Sequence, residues 1–111
     1  MLALSRRIGE AIHIGDEFIL EVLDIGRHTV VLELERPDPD LDRPQWLVVD
    51  RRVGESFQVS EGVCVSVSDV DGSLVRLGID APREIRIVRA ELEPRRDDLR
   101  DQKPEAKVDA D

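Results

Sequence analysis

The chain has 111 residues and a formal net charge of −9 at pH 7, the size of one domain and a charge that argues against coating nucleic acid without regard to sequence. Aromatic residues are 3% of it, so the core must be Val, Ile and Leu, which favours strands. A lone Cys64 excludes an intrachain disulfide framework and is expected as a small buried hydrophobe. No apolar run approaches membrane length and no signal peptide is seen, so a cytoplasmic protein is expected.

Met1–Arg7 alternates Leu2 and Leu4 with polar neighbours and ends on two arginines, the pattern of a strand with one buried face. Gly9-Glu10 breaks it. Ala11–Ile14 gives a second short strand that stops at Gly15-Asp16. Phe18–Leu23 is a nearly continuous apolar strand, and residues 24–28 make a loop. Thr29–Glu35 alternates, with Val30, Leu32 and Leu34 on one face and Thr29, Val31, Glu33 and Glu35 on the other. Residues 36–45 then bring three prolines and three aspartates. Proline removes ladder donors, so a linker over 37–46 is expected, ending at Trp46, whose indole would cover a strand seam.

The pattern then starts again. Leu47-Val48-Val49-Asp50-Arg51-Arg52-Val53-Gly54-Glu55 repeats the opening of the chain, Arg51 standing 45 positions after Arg6. At the same spacing Ile12 matches Phe57, Val22 matches Val67, Val30 matches Val75, Leu32 matches Leu77 and Pro37 matches Pro82. The chain is a divergent tandem duplication with two units, too few for a solenoid. The second unit predicts strands over Leu47–Arg52, Ser56–Val59, Val63–Ser68 and Leu74–Asp80, with Asp71-Gly72 as a hairpin signal. It goes on where the first stops: Arg83–Arg89 predicts a fifth strand, with Ile85 and Ile87 on one face and Arg86 and Val88 on the other. The first unit has the Pro/Asp linker at that place. The expected organisation is a first unit over 1–36 without a fifth strand, the linker, a complete second unit over 47–95, and a polar, partly disordered tail over 96–111. A short helix is expected over 90–102.

Chemistry-bearing clusters are few. His13 and His28 are isolated and expected at the surface, with no metal-ligand spacing to each other or to Cys64. Gly9-Glu10 and Gly54-Glu55 lack the further glycines and lysine of a phosphate loop. No set supplies nucleophile, base and oxyanion donors together, so neither enzyme nor metal site is expected, and no cofactor. Arg6, Arg7, Arg51 and Arg52 suit phosphate binding or ion pairs with Glu10 and Glu55 equally well. Acidity is concentrated in 37–45 and 96–111. A local basic surface on residues 81–95 can survive it, since screening limits distant charges to about 8 Å at physiological salt.

Two stretches, Met1–Asp16 and Val75–Leu92, resemble the N- and C-terminal halves of the carbon storage regulator (Csr/Rsm) family of bacterial translational regulators. The resemblance implies a five-stranded subunit that forms an interlocked homodimer; with the duplication, the expected fold is all-β, two interlocked Csr-like units of short antiparallel strands forming an intrachain pseudo-dimer. It implies RNA sites built from the first strand of one unit and the fifth of the other, with Leu4, Arg6 and Arg7 facing Ile85, Ile87, Val88, Arg89, Ala90 and Glu91. The implied ligands are GGA-containing hairpin loops in mRNA leaders or small regulatory RNAs, with no DNA and no membrane partner expected; the duplication itself points to a monomeric pseudo-dimer in place of a homodimer. Val88-Arg89-Ala90-Glu91 departs from the family's usual His-Arg-Glu-Glu by losing the histidine. Arg51 and Arg52 are expected to face the Pro/Asp linker, where Asp38, Asp40 and Asp42 would repel phosphate. The alternative reading, favoured by acidity, is an RNA-binding-deficient interaction module that regulates another family member.

Overall fold

The computed structural model describes residues 1–90. Among these it has nine strands: β1 (Leu2–Arg6), β2 (Ala11–Ile14), β3 (Phe18–Ile25), β4 (Thr29–Pro37), β5 (Pro44–Arg52), β6 (Ser56–Ser60), β7 (Val63–Asp71), β8 (Leu74–Asp80) and β9 (Ile87–Arg89). They form an antiparallel four-stranded sheet, β1-β8-β7-β6, and an antiparallel five-stranded sheet, β5-β4-β3-β2-β9. Each sheet therefore mixes the two halves of the chain. β1 leaves the first half to pair with β8, while β5 and β9 leave the second half to flank β4 and β2.

The duplication persists in local geometry. The ladder of β3 slips between Val22 and Asp24, and that of β7 slips between Val67 and Asp69, 45 residues later. The turn after the first strand of each half is also copied. Gly9 N–H donates to Val22 O at 2.8 Å and Gly54 N–H to Val67 O at 2.7 Å. Both glycines have positive φ, +88° and +95°, a region that L side chains avoid. Glu10 Oε1 accepts from Arg7 N–H at 2.9 Å, and Glu55 Oε1 from Arg52 N–H at 2.8 Å. The Gly-Glu pairs close these turns.

The core lies between the sheets. Ile12, Leu20 and Leu34 stand in one register row of the larger sheet, and Leu4, Leu77 and Val67 in one row of the smaller. All six are buried, and full burial of such a side chain contributes about 1.5–3 kcal/mol. The alternation of Thr29–Glu35 is as expected, but the second face is also covered: Glu33 and Glu35 are buried. Trp46 lies opposite Glu35, and its indole Nε1–H donates to Glu35 Oε1 at 3.1 Å.

Several sequence expectations need correction. β4 and β5 form a hairpin that pairs Pro37 with Pro44, so strands run into the stretch expected as linker. Proline is tolerated there because β5 is an edge strand and Pro44 is its first residue. The fifth strand is three residues long and does not reach back to Arg83, since Ile85 N–H turns back onto Pro82 O at 3.0 Å. Cys64 is exposed: Val63 and Val65 take the core face of β7, and alternation turns Cys64 outward. His13 is buried on β2, in a row running Val88, His13, Ile19, Glu35, Trp46 across all five strands, while His28 is exposed. The helix expected over 90–102 and the tail lie outside the described residues, apart from Ala90.

Candidate nucleic-acid interface

The expected site residues come from two edge strands that belong to different sheets. On β1, Leu4 pairs with Leu77 and Arg6 with Val75, so both side chains point to the interior. On β9, Arg89 pairs with Ile12, whose row continues through Leu20 and Leu34 into the core. Arg6 and Arg89 thus lie on the inner sides of their sheets, at strands that border the sandwich. Arg6 spans the gap between the sheets: its Nη1–H donates to Ala11 O at 3.1 Å, and Ala11 precedes Ile12, the partner of Arg89.

Their exposure separates the arginines into two kinds. Arg6 is 4% exposed. Its Nε–H donates to Ser5 O at 2.9 Å, and Nε lies 3.6 Å from Glu10 Oε1. It holds the corner together. Arg7 and Arg89 are exposed, as is Arg86, whose carbonyl accepts from Gly15 N–H at 2.7 Å. Leu4 belongs to the core, whereas Ile85, Ile87, Val88 and Ala90 are half-buried. Glu91 lies outside the described residues. The sequence signal for the division between Arg6 and Arg7 is the alternation of β1, which puts Arg6 two places after buried Leu4 on the inner face and leaves Arg7 beyond the strand.

The second half builds a related corner. Arg51 pairs with buried Val30, and its Nε–H donates to Ser56 O at 3.1 Å, the counterpart of the Arg6 bond to Ala11. Its Nη1–H donates to Asp50 O at 2.6 Å, and the guanidinium sits 5.5 Å from the Phe57 ring centroid, a cation–π distance. Thr29, Asp50, Arg51, Arg52 and Glu55 line a shallow hollow here. Contrary to the expectation from the order of the duplication, Arg51 and Arg52 do not face the linker aspartates. Arg52 pairs with Thr29 at one end of the β4–β5 hairpin, and Pro37 pairs with Pro44 at the other, roughly 26 Å away at the rise of a strand. What this corner lacks is a neighbour: among the described residues no strand pairs with the outer edge of β6, whereas β2 has β9.

Asp38 and Asp42 of that stretch instead join an acidic hollow at the far end, lined also by Asp16, Glu17, Glu35 and Arg43 among others. Among the described residues no group of three or more His, Cys, Asp and Glu could hold a metal ion.

An antiparallel sandwich in which the first half lends β1 to one sheet and the second half lends β5 and β9 to the other, with arginines at the crossing strands, defines a class of interlocked pseudo-dimers. The sequence model of the CsrA family, described as a global regulator protein family, matches residues 1–39 and 46–97, and the chain belongs to this family. It is similar to the translational regulator CsrA of a Nocardioides species, 54% identical over 46 residues that cover 41% of this chain and 55% of the relative. The translational regulators CsrA of Thermotoga petrophila, at 44% identity, and Syntrophomonas wolfei, at 41%, match over the same length and 41% of this chain, covering 55% and 60% of those relatives. The chain thus spans a little over half the length of the curated relatives it matches. No solved structure matches.

Proposed function

We propose that the chain is a post-transcriptional regulator of the cytoplasm that binds GGA-type hairpin loops of mRNA leaders or small RNAs at the β1/β9 margin. Arg7 and Arg89 would contact phosphates, Arg6 would hold the corner, and the half-buried backbone of β9 around Ile87, Val88 and Ala90 would meet splayed bases, which single-stranded loops present. The observation that carries this reading is the interlock itself, which brings exposed Arg89 to the strand neighbour of the residue that Arg6 bonds. Family membership and relatives named as translational regulators support it. No second chain is needed to assemble these residues, which supports a monomeric pseudo-dimer.

The site is complete once, so one hairpin per chain is expected. Calorimetry of the full chain against a GGA hairpin and a scrambled loop tests this: the GGA loop should bind with a stoichiometry near one and the scrambled loop much more weakly. Two equivalent sites would mean that the Arg51 corner binds as well. Equal affinity for the two loops would remove the sequence-specific reading. No binding to either would favour the interaction module, to which the net charge of −9 already lends weight.

A further inference from the structure

The four borders of the two sheets are not alike. β1 carries Arg6, β5 carries Pro44, Asp50, Arg51 and Arg52, and β9 carries Arg89. β6, with the sequence Ser-Phe-Gln-Val-Ser, has no charge and no proline. Strand edges left open to solvent are normally guarded by charge, proline or a bulge, because unpaired N–H and C=O groups invite another strand. The one guard on β6 is a register slip between Gln58 and Ser60, which leaves Ser56–Gln58 regular. That is as many residues as β2 offers β9, which pairs with Ile12, His13 and Ile14.

The duplication provides an internal control. Ile12 is 0% exposed and His13 1%, both beside β9, while their counterparts are half-buried Phe57 and exposed Gln58. β2 is flanked by Glu10 and Asp16 and takes a strand preceded by Arg83 and Arg86 and ending at Arg89; β6 is flanked by the counterparts Glu55 and Glu61, both exposed. The flanking charge of the two borders matches, and Phe57 leaves apolar surface open at the place where Ile12 is covered. Among the described residues no strand covers that surface.

We infer that β6 is a docking edge for an extended partner segment with aliphatic residues at alternate positions and arginines between them, added antiparallel as β9 is to β2. Such a strand covers Phe57, meets Glu55 and Glu61 with its arginines, and gives the Arg51 corner the neighbour it lacks. A second copy is a poorer occupant. Its own β9 is already paired with β2, and moving it would bare one border to fill another. Two β6 strands paired antiparallel about Gln58 would set the exposed Glu55 of each copy opposite Glu61 of the other, and like charges across a strand pair are destabilising.

The test uses the full chain, no RNA, and a synthetic peptide of residues 83–90, so its failure leaves the RNA reading untouched. The peptide should bind saturably and shift the backbone amide resonances of Ser56–Gln58 and the Arg51 guanidinium. A scrambled peptide of equal charge should bind at least about tenfold more weakly, and so should the native peptide to Phe57→Lys. No saturable binding, or equal binding of the scrambled peptide, overturns the inference. Shifts centred on Ala11–Ile14 would mean that the peptide merely replaces β9, and overturn it too. Ultracentrifugation finding a dimer that Phe57→Lys dissociates would give the edge to a second copy instead.

Discussion

Arg6 and Arg7 are neighbours in the chain with opposite surroundings. The Arg6 guanidinium is buried and satisfies the carbonyls of Ser5 and Ala11, whereas Arg7 gives only its backbone N–H to Glu10 and leaves its side chain exposed. Truncation should therefore fail in different ways. Arg6→Ala strips a partner from the buried Ala11 carbonyl and should lower unfolding stability by about 1–3 kcal/mol, measured by urea denaturation. If RNA binds as proposed, Arg7→Ala and Arg89→Ala should leave the denaturation midpoint nearly unchanged. Each should reduce the slope of log affinity against log salt by about 0.7, the loss of one single-strand phosphate contact. His28→Ala, at an exposed loop position away from β1 and β9, should change neither. A slope that falls with Arg6→Ala as it does with Arg7→Ala would return Arg6 to the phosphate contacts.

The turn that follows β1 and the turn that follows β5 are one device used twice, and each rests on a glycine with positive φ. A Cβ at Gly9 or Gly54 would meet nothing within 4 Å, so the cost of alanine there is backbone strain alone, about 1–2 kcal/mol. Gly9→Ala and Gly54→Ala should lower stability by similar amounts in the same denaturation assay. A loss at one position only would show that the two turns no longer have equal weight. These turns were readable from the repeated Arg-Arg-x-Gly-Glu, as were the first eight strands, because spacing and alternation are local properties. The misread features depend on what lies across a sheet or beyond it. Cys64 looked apolar in context, but Val63 and Val65 had the stronger claim to the core. His13 looked isolated because its neighbours Ile19 and Val88 come from other strands. The linker aspartates were set against Arg51 and Arg52 by the order of the duplication, and only the pairing of Thr29 with Arg52 shows them at opposite ends of a hairpin.

At the scale of the molecule, assembly of the two halves depends on the β4–β5 hairpin, whose short loop keeps β5 at an effective concentration of roughly millimolar beside β4. Doubling the loop between Pro37 and Pro44 with Gly and Ser should cost only about 0.6 kcal/mol. Cleaving it should make the melting temperature depend on protein concentration, which calorimetry at two dilutions would reveal. A melting temperature independent of concentration after cleavage would mean that the interlocked strands alone suffice. The hairpin also alters what one mutation does. When identical chains associate about a twofold axis, each substitution arrives in pairs, so no binding corner can change without its mirror image. Fusion ends that constraint: Ile12 and Phe57, or His13 and Gln58, answer to separate codons although they fill corresponding places. One corner is thereby free to change while its sibling is held, and the unequal borders of the two sheets are what such freedom permits.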